Sequence, residues 1–123
     1  MGKALVKHDD PIRAMAAASQ TSLMATVSTF GQYVDNDGKR ASSEKGLVLT
    51  INRAVKKYYG MARDEMPRDM LLHVSSALDR VVQLIARGMA ERQSRREIKD
   101  GIKATIKAFG ESYHALGGGH VRY

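Results

Sequence analysis

Pro67 to Gln93, PRDMLLHVSSALDRVVQLIARGMAERQ, is the stretch whose reading decides the fold. Leu71, Val74, Leu78, Val81 and Ile85 recur at alternating steps of three and four, and Val82 and Met89 widen the stripe. That spacing aligns one face of an α-helix. His73, Arg80, Arg87 and Glu91 fall on the opposite face, which places His73 in solvent. One helix gains too little from propensity to stand alone in water, so its apolar side requires other helices to pack on it.

Working outward towards the C-terminus, Ser94-Arg95-Arg96-Glu97 has the spacing of a capping box, with serine and glutamate satisfying each other's backbone donors. A helix therefore begins at Arg95, with Ile98, Ile102, Ile106, Phe109, Tyr113 and Leu116 as its buried stripe. Gly101 and Gly110 each weaken it by about 1 kcal/mol against alanine and mark close approach to a neighbour. Gly117-Gly118-Gly119 stops the helix and tethers His120-Val121-Arg122-Tyr123 as a tail.

Towards the N-terminus, a helix is expected from about Glu44 to Tyr59, with continuation to Arg63 as the alternative end, capped by Ser42 or Ser43. Leu47, Ile51, Ala54, Val55, Tyr58 and Ala62 share its apolar face. Residues 47 to 51, LVLTI, also read as a strand, but no second strand-like run stands nearby to pair with it. Asp9, Asp10 and Pro11 form a helix start, and the first helix runs to Thr29 or Phe30 with Ile12, Ala16, Leu23, Val27 and Phe30 inward and Met15 and Met24 beside them. No charge occurs between Ala14 and Val34, and Ser, Thr and Gln interrupt the apolar residues throughout. That mixture is too polar for a membrane span and suits a helix covered on more than one side, in the bundle or in a subunit interface. Gly31 is its C-cap, and Asp35-Asn36-Asp37-Gly38 is a solvated turn, lacking the ligand spacing and distal glutamate of an EF-hand.

These elements predict an all-α, four-helix bundle-like single domain with short connections over residues 1 to 116, antiparallel between the last two helices, and a Gly-rich C-terminal tail over 117 to 123. The 123-residue chain is long enough for one core. It has no cysteine, which removes disulfides and thiolate chemistry and fits a cytoplasmic setting; no export signal is visible at the start.

Net charge is +7, and the surplus lies in the middle: residues 36 to 70 carry eight basic and five acidic groups, and 71 to 110 carry eight and four. Such a surface attracts nucleic acid or acidic protein, or simply confers solubility. Arg96, Lys99, Lys103 and Lys107 follow steps of three, four and four, and Arg92 prolongs the row. That row suits a phosphate backbone. Arg53, Lys56 and Lys57 form a second patch; Tyr58 lies on the apolar arc, which leaves Tyr59 free to stack on a base. Helix, short turn and basic helix over residues 67 to 116 match a helix-turn-helix poorly, because the first helix is too long.

Enzyme chemistry finds no support. His8, His73, His114 and His120 lack metal-ligand spacing, and no nucleophile elbow or phosphate loop exists. The expectation is a non-catalytic nucleic-acid-associated protein needing no cofactor and no metal, and not inserted in a membrane. Its alternative is a protein-protein interaction or assembly component that forms a homo-oligomer or binds a partner through the uncharged first helix.

Overall fold

The computed structural model describes residues 10 to 35, residue 38, and residues 44 to 117. The described residues form four helices: α1 Pro11–Phe30, α2 Glu44–Tyr59, α3 Arg68–Ala90 and α4 Arg95–Ala115, with a 3-10 turn Arg63–Glu65 between α2 and α3. LVLTI is helical. The Ser42 or Ser43 cap, Asp9, Asn36 and Asp37, and the tail beyond Gly117 lie outside the described residues.

Local chemistry sets the helix ends. Asp10 Oδ1 accepts the backbone N–H of Ile12 and Arg13 at 3.2 and 3.3 Å, and Pro11 opens α1 with no donor to lose. At α4 the capping box is complete, Ser94 Oγ accepting from Glu97 N at 3.1 Å while Ser94 N donates to Glu97 Oε1 at 2.9 Å. α2 stops at Tyr59 instead of continuing to Arg63, because Gly60 takes a left-handed backbone, φ +90°, and Ala62 is extended. α3 ends at Ala90, short of Gln93. There the N–H of Gln93 bonds Gly88 O and that of Arg92 bonds Met89 O, closing the helix as a Schellman motif with Arg92 at φ +58° in the position that favours glycine.

Around the bundle α1 packs on α3, α3 on α4, α4 on α2, and α2 on α1, leaving α2 and α3 at opposite corners. α3 and α4 are antiparallel: Gly88 abuts Ile98, Gly101 abuts Leu84, and Asp69 meets Tyr113. α2 and α4 run parallel, Gly46 lying by Lys99 and Gly110 by Tyr58. α1 and α3 are also parallel, joined at one end by the Asp10–Arg68 ion pair at 3.0 Å and at the other by Tyr33, whose hydroxyl donates to Gln93 O.

The core is made of the stripes read from the sequence, Leu71, Val74, Leu78, Val81 and Ile85 meeting Ile98, Ile102 and Ile106, with Leu23, Val27 and Phe30 from α1 and Leu47, Ile51 and Val55 from α2. Several expectations need correction. Leu116 is 82% exposed, because the helix ends at Ala115 and Leu116, past its last turn, packs on none of the described core residues. Val82, Met89 and Phe109 are only half-buried at the margins of their stripes. Asp35 is buried, not solvated: its carboxylate accepts from Arg95 N at 3.4 Å and lies 3.7 Å from Arg95 Nε, tying the first connection to the start of α4. α1 is covered on one side only, and Ala14, Met15, Ala18, Ser22, Ala25 and Thr29 stand exposed along its outer face.

Candidate functional site

The seam between α2 and α4 is where the two basic stretches of the sequence meet. Gly110 makes the close approach possible: a Cβ there would fall 2.7 Å from the Tyr58 carbonyl oxygen and 2.9 Å from its Cβ. Only a residue without a side chain fits against that backbone. With the helices parallel, Arg53 and Lys57 of α2 face Lys103 of α4 across a groove of about 240 Å³ whose floor is Thr50, Ala54 and Tyr58. Lys57 Nζ lies 5.2 Å from the centre of the Tyr58 ring, a cation-π distance. Lys99 reaches from the same flank of α4 to within 4.0 Å of where a Cβ on Gly46 would sit. Lys107, one turn beyond Lys103 and exposed, continues the row, so Lys99 to Lys107 spans about 12 Å at 1.5 Å per residue.

No carboxylate among the described residues lies within ion-pair distance of Arg53, Lys57, Lys99, Lys103 or Lys107. Their mutual repulsion is therefore relieved by solvent ions, which a bound polyanion would replace.

The remaining candidates separate from this groove. Lys56 lines a different cleft, with Asn52, Val55, Ala62, Arg63 and Asp64. Arg92 and Arg96 stand at the end of the bundle, at the Schellman turn and in the first turn of α4, both exposed and without a carboxylate partner among the described residues. Tyr59 is not a stacking residue: it is 1% exposed, and Tyr58, read as core, is the half-buried ring at the groove. The reversal has a physical cause. With the Tyr58 backbone pressed on Gly110, its ring lines the α2/α4 groove, and Tyr59 turns between α3 and α4.

Tyr59 there belongs to a cluster that the sequence did not announce. Its hydroxyl is hydrogen-bonded to His73 Nδ1 at 2.9 Å, and Tyr113 donates to Asp69 Oδ2 at 2.7 Å. The His73 ring lies 5.1 Å from Tyr113 and 5.9 Å from Phe109. Far from projecting into solvent, His73 joins α2, α3 and α4 at one end of the bundle. The spacing of α3 could not show this, because the rings that cover that side, Tyr59, Phe109 and Tyr113, come from other helices. Burial pushes the Tyr59 hydroxyl far up. It also lowers the His73 pKa from 6.5, helped by the charge on neighbouring His114.

The unfolded chain consequently holds the His73 proton more tightly than the folded one does. Stability from the neutral imidazole is whole above about pH 6.5 and is lost as pH falls through the depressed native value. Thermal melts between pH 7 and 5 should therefore show a midpoint that falls with acid in the parent and less so in His73→Gln; parallel curves would refute the assignment.

Among the described residues no three His, Asp or Glu side chains gather as metal ligands, and no helix is long and apolar enough to cross a membrane. The seam between α2 and α4 offers converging cations and a tyrosine ring, but no nucleophile held by a base. Compared with known proteins, the chain matches no family, no curated protein and no solved structure.

Proposed function

We propose that this chain is a non-catalytic nucleic-acid-binding protein, and that a phosphate backbone lies along the groove between α2 and α4. One observation carries the reading: Arg53 and Lys57 converge with Lys103 from a different helix, in a groove that no carboxylate of the described residues lines. Lys99 and Lys107 extend the track in both directions, and the Tyr58 ring at its floor gives a base or sugar an apolar surface to rest on. Arg92 and Arg96 lengthen the same positive field at the end of the bundle. A chain without cysteine is suited to doing this in the cytoplasm.

A salt-titrated mobility assay tests it. Neutralising about five phosphates gives a slope of log affinity against log salt of about −4.5 on duplex or −3.5 on single strands. Between 50 and 200 mM salt, affinity should fall by roughly two to three orders of magnitude. Absence of binding at 50 mM, or a flat salt response, would retire the proposal.

A second reading rests on α1, whose outer face is exposed over four turns and carries no charge from Ala14 to Thr29. A solvent-facing helix ordinarily carries charge there. Assembly through this face, as a homo-oligomer or on another protein, predicts a mass that rises with concentration in light scattering and reverts to monomer in Ser22→Glu. A constant monomer mass would remove the homo-oligomer.

A further inference from the structure

The opposite flank of α4 carries a separate groove, shared with α3, of about 410 Å³. Among the described residues its charged lining is Arg80 and Arg87, which stand two turns apart on α3. Its floor is mainly apolar, made by Leu84, Ala104, Ala108 and Phe109, with the polar Gln83 and Thr105 beside them. Ala104 and Ala108 are exposed one turn apart, so the α4 side of the groove is low and an incoming backbone can come close. No carboxylate of the described residues is within ion-pair distance of either arginine.

Two unpaired cations bracketing an apolar floor call for an occupant that is acidic at the edge and aliphatic at the centre. A nucleic-acid backbone supplies the first without the second. Arg80 and Arg87 are seven residues apart, about 10 Å along the axis of α3. A helix lying alongside brings carboxylates seven residues apart to the same face at the same interval. An extended strand covers that distance in about three residues, which puts its two side chains on opposite faces. We infer that the α3/α4 groove is a docking site for an acidic amphipathic helix of a partner protein, its aliphatic stripe on Leu84, Ala104, Ala108 and Phe109, its carboxylates on Arg80 and Arg87. The site lies across α4 from the α2/α4 groove and does not depend on nucleic-acid binding there.

Fluorescence anisotropy on the full chain tests this with a synthetic alanine-based helical peptide, labelled with fluorescein, carrying a leucine stripe and glutamates seven residues apart on its flank. Saturable binding is expected, weakened about tenfold by Arg80→Ala with Arg87→Ala, as the loss of two exposed ion pairs implies. The same loss is expected when the peptide's glutamates are replaced by glutamine, an arm that leaves the protein unaltered. Lys103→Ala with Lys107→Ala should leave the peptide's affinity unchanged. The inference is overturned if the peptide does not bind, if the glutamine peptide binds equally well, or if the Lys103 and Lys107 variant is the one that loses it. Decanoate binding that depends on Arg80 and Arg87, with no binding of the peptide, would give the groove to a small carboxylate instead and also overturn it.

Discussion

Gly110→Val is expected to lower the stability of the domain by about 3 kcal/mol and its melting midpoint by about 10 °C. The position is helical, so a Cβ alone would raise helix propensity by about 1 kcal/mol. Packing works against that gain and outweighs it. The added carbon meets the Tyr58 carbonyl oxygen at 2.7 Å, its Cβ at 2.9 Å and its carbonyl carbon at 3.0 Å, and two of those three are backbone that no rotamer change can clear. α2 and α4 must move apart, opening the seam that holds Arg53 opposite Lys103.

Gly101 supplies the comparison within the same helix. A Cβ there meets only the end of Leu84, at 3.2 and 3.3 Å, a half-buried side chain that can yield by a few tenths of an ångström. Gly101→Ala should therefore melt within a few degrees of the parent, the propensity gain offsetting the adjustment. Denaturant and thermal melts of the two variants decide the matter. A Gly110→Val chain as stable as the parent would show that α2 and α4 are not held in backbone contact.

Reversing the charge of the groove should have the largest effect on binding. In Arg53→Glu with Lys103→Glu and Lys107→Glu, nucleic-acid affinity at 50 mM salt is expected to fall by at least about a hundredfold. The slope of log affinity against log salt should flatten by about 2.7 on duplex, because three fewer phosphates are neutralised. All three side chains are exposed and make no ion pair with a described carboxylate, so the circular dichroism spectrum should be unaltered. Lys56→Glu removes the same charge per site from a cleft elsewhere on α2. Its effect should stay within about threefold, since a cation directed into another cleft makes no phosphate contact in the groove and acts on it only through the screened field. Equal losses per substitution in both variants would mean that net charge, not the groove, attracts the polyanion.

How much of this was legible beforehand depends on the range of the interaction involved. The Ser94–Glu97 capping box, the Asp10 cap and the apolar stripes of α3 and α4 were readable, because each is encoded within a few residues and repeats with the helical period. The glycines at 101 and 110 were readable as points of close approach, although not what approaches them. Gly88, pressed on Ile98, gave no such sign, as its position inside a strong stripe hid it.

The amino-acid sequence by itself determined that the described residues form four helices and where the apolar stripe of each runs, since periodicity is a property of one helix at a time. Tertiary structure alone decided that α2 lies parallel to α4 and diagonal to α3. From that one arrangement follow the convergence of Arg53 and Lys57 on Lys103, the exchange of roles between Tyr58 and Tyr59, and the partial covering of His73 by Tyr59. The physical reason is that neighbouring helices are chosen by where backbones can come closest, and a seam such as Tyr58 against Gly110 joins residues that no local spacing connects.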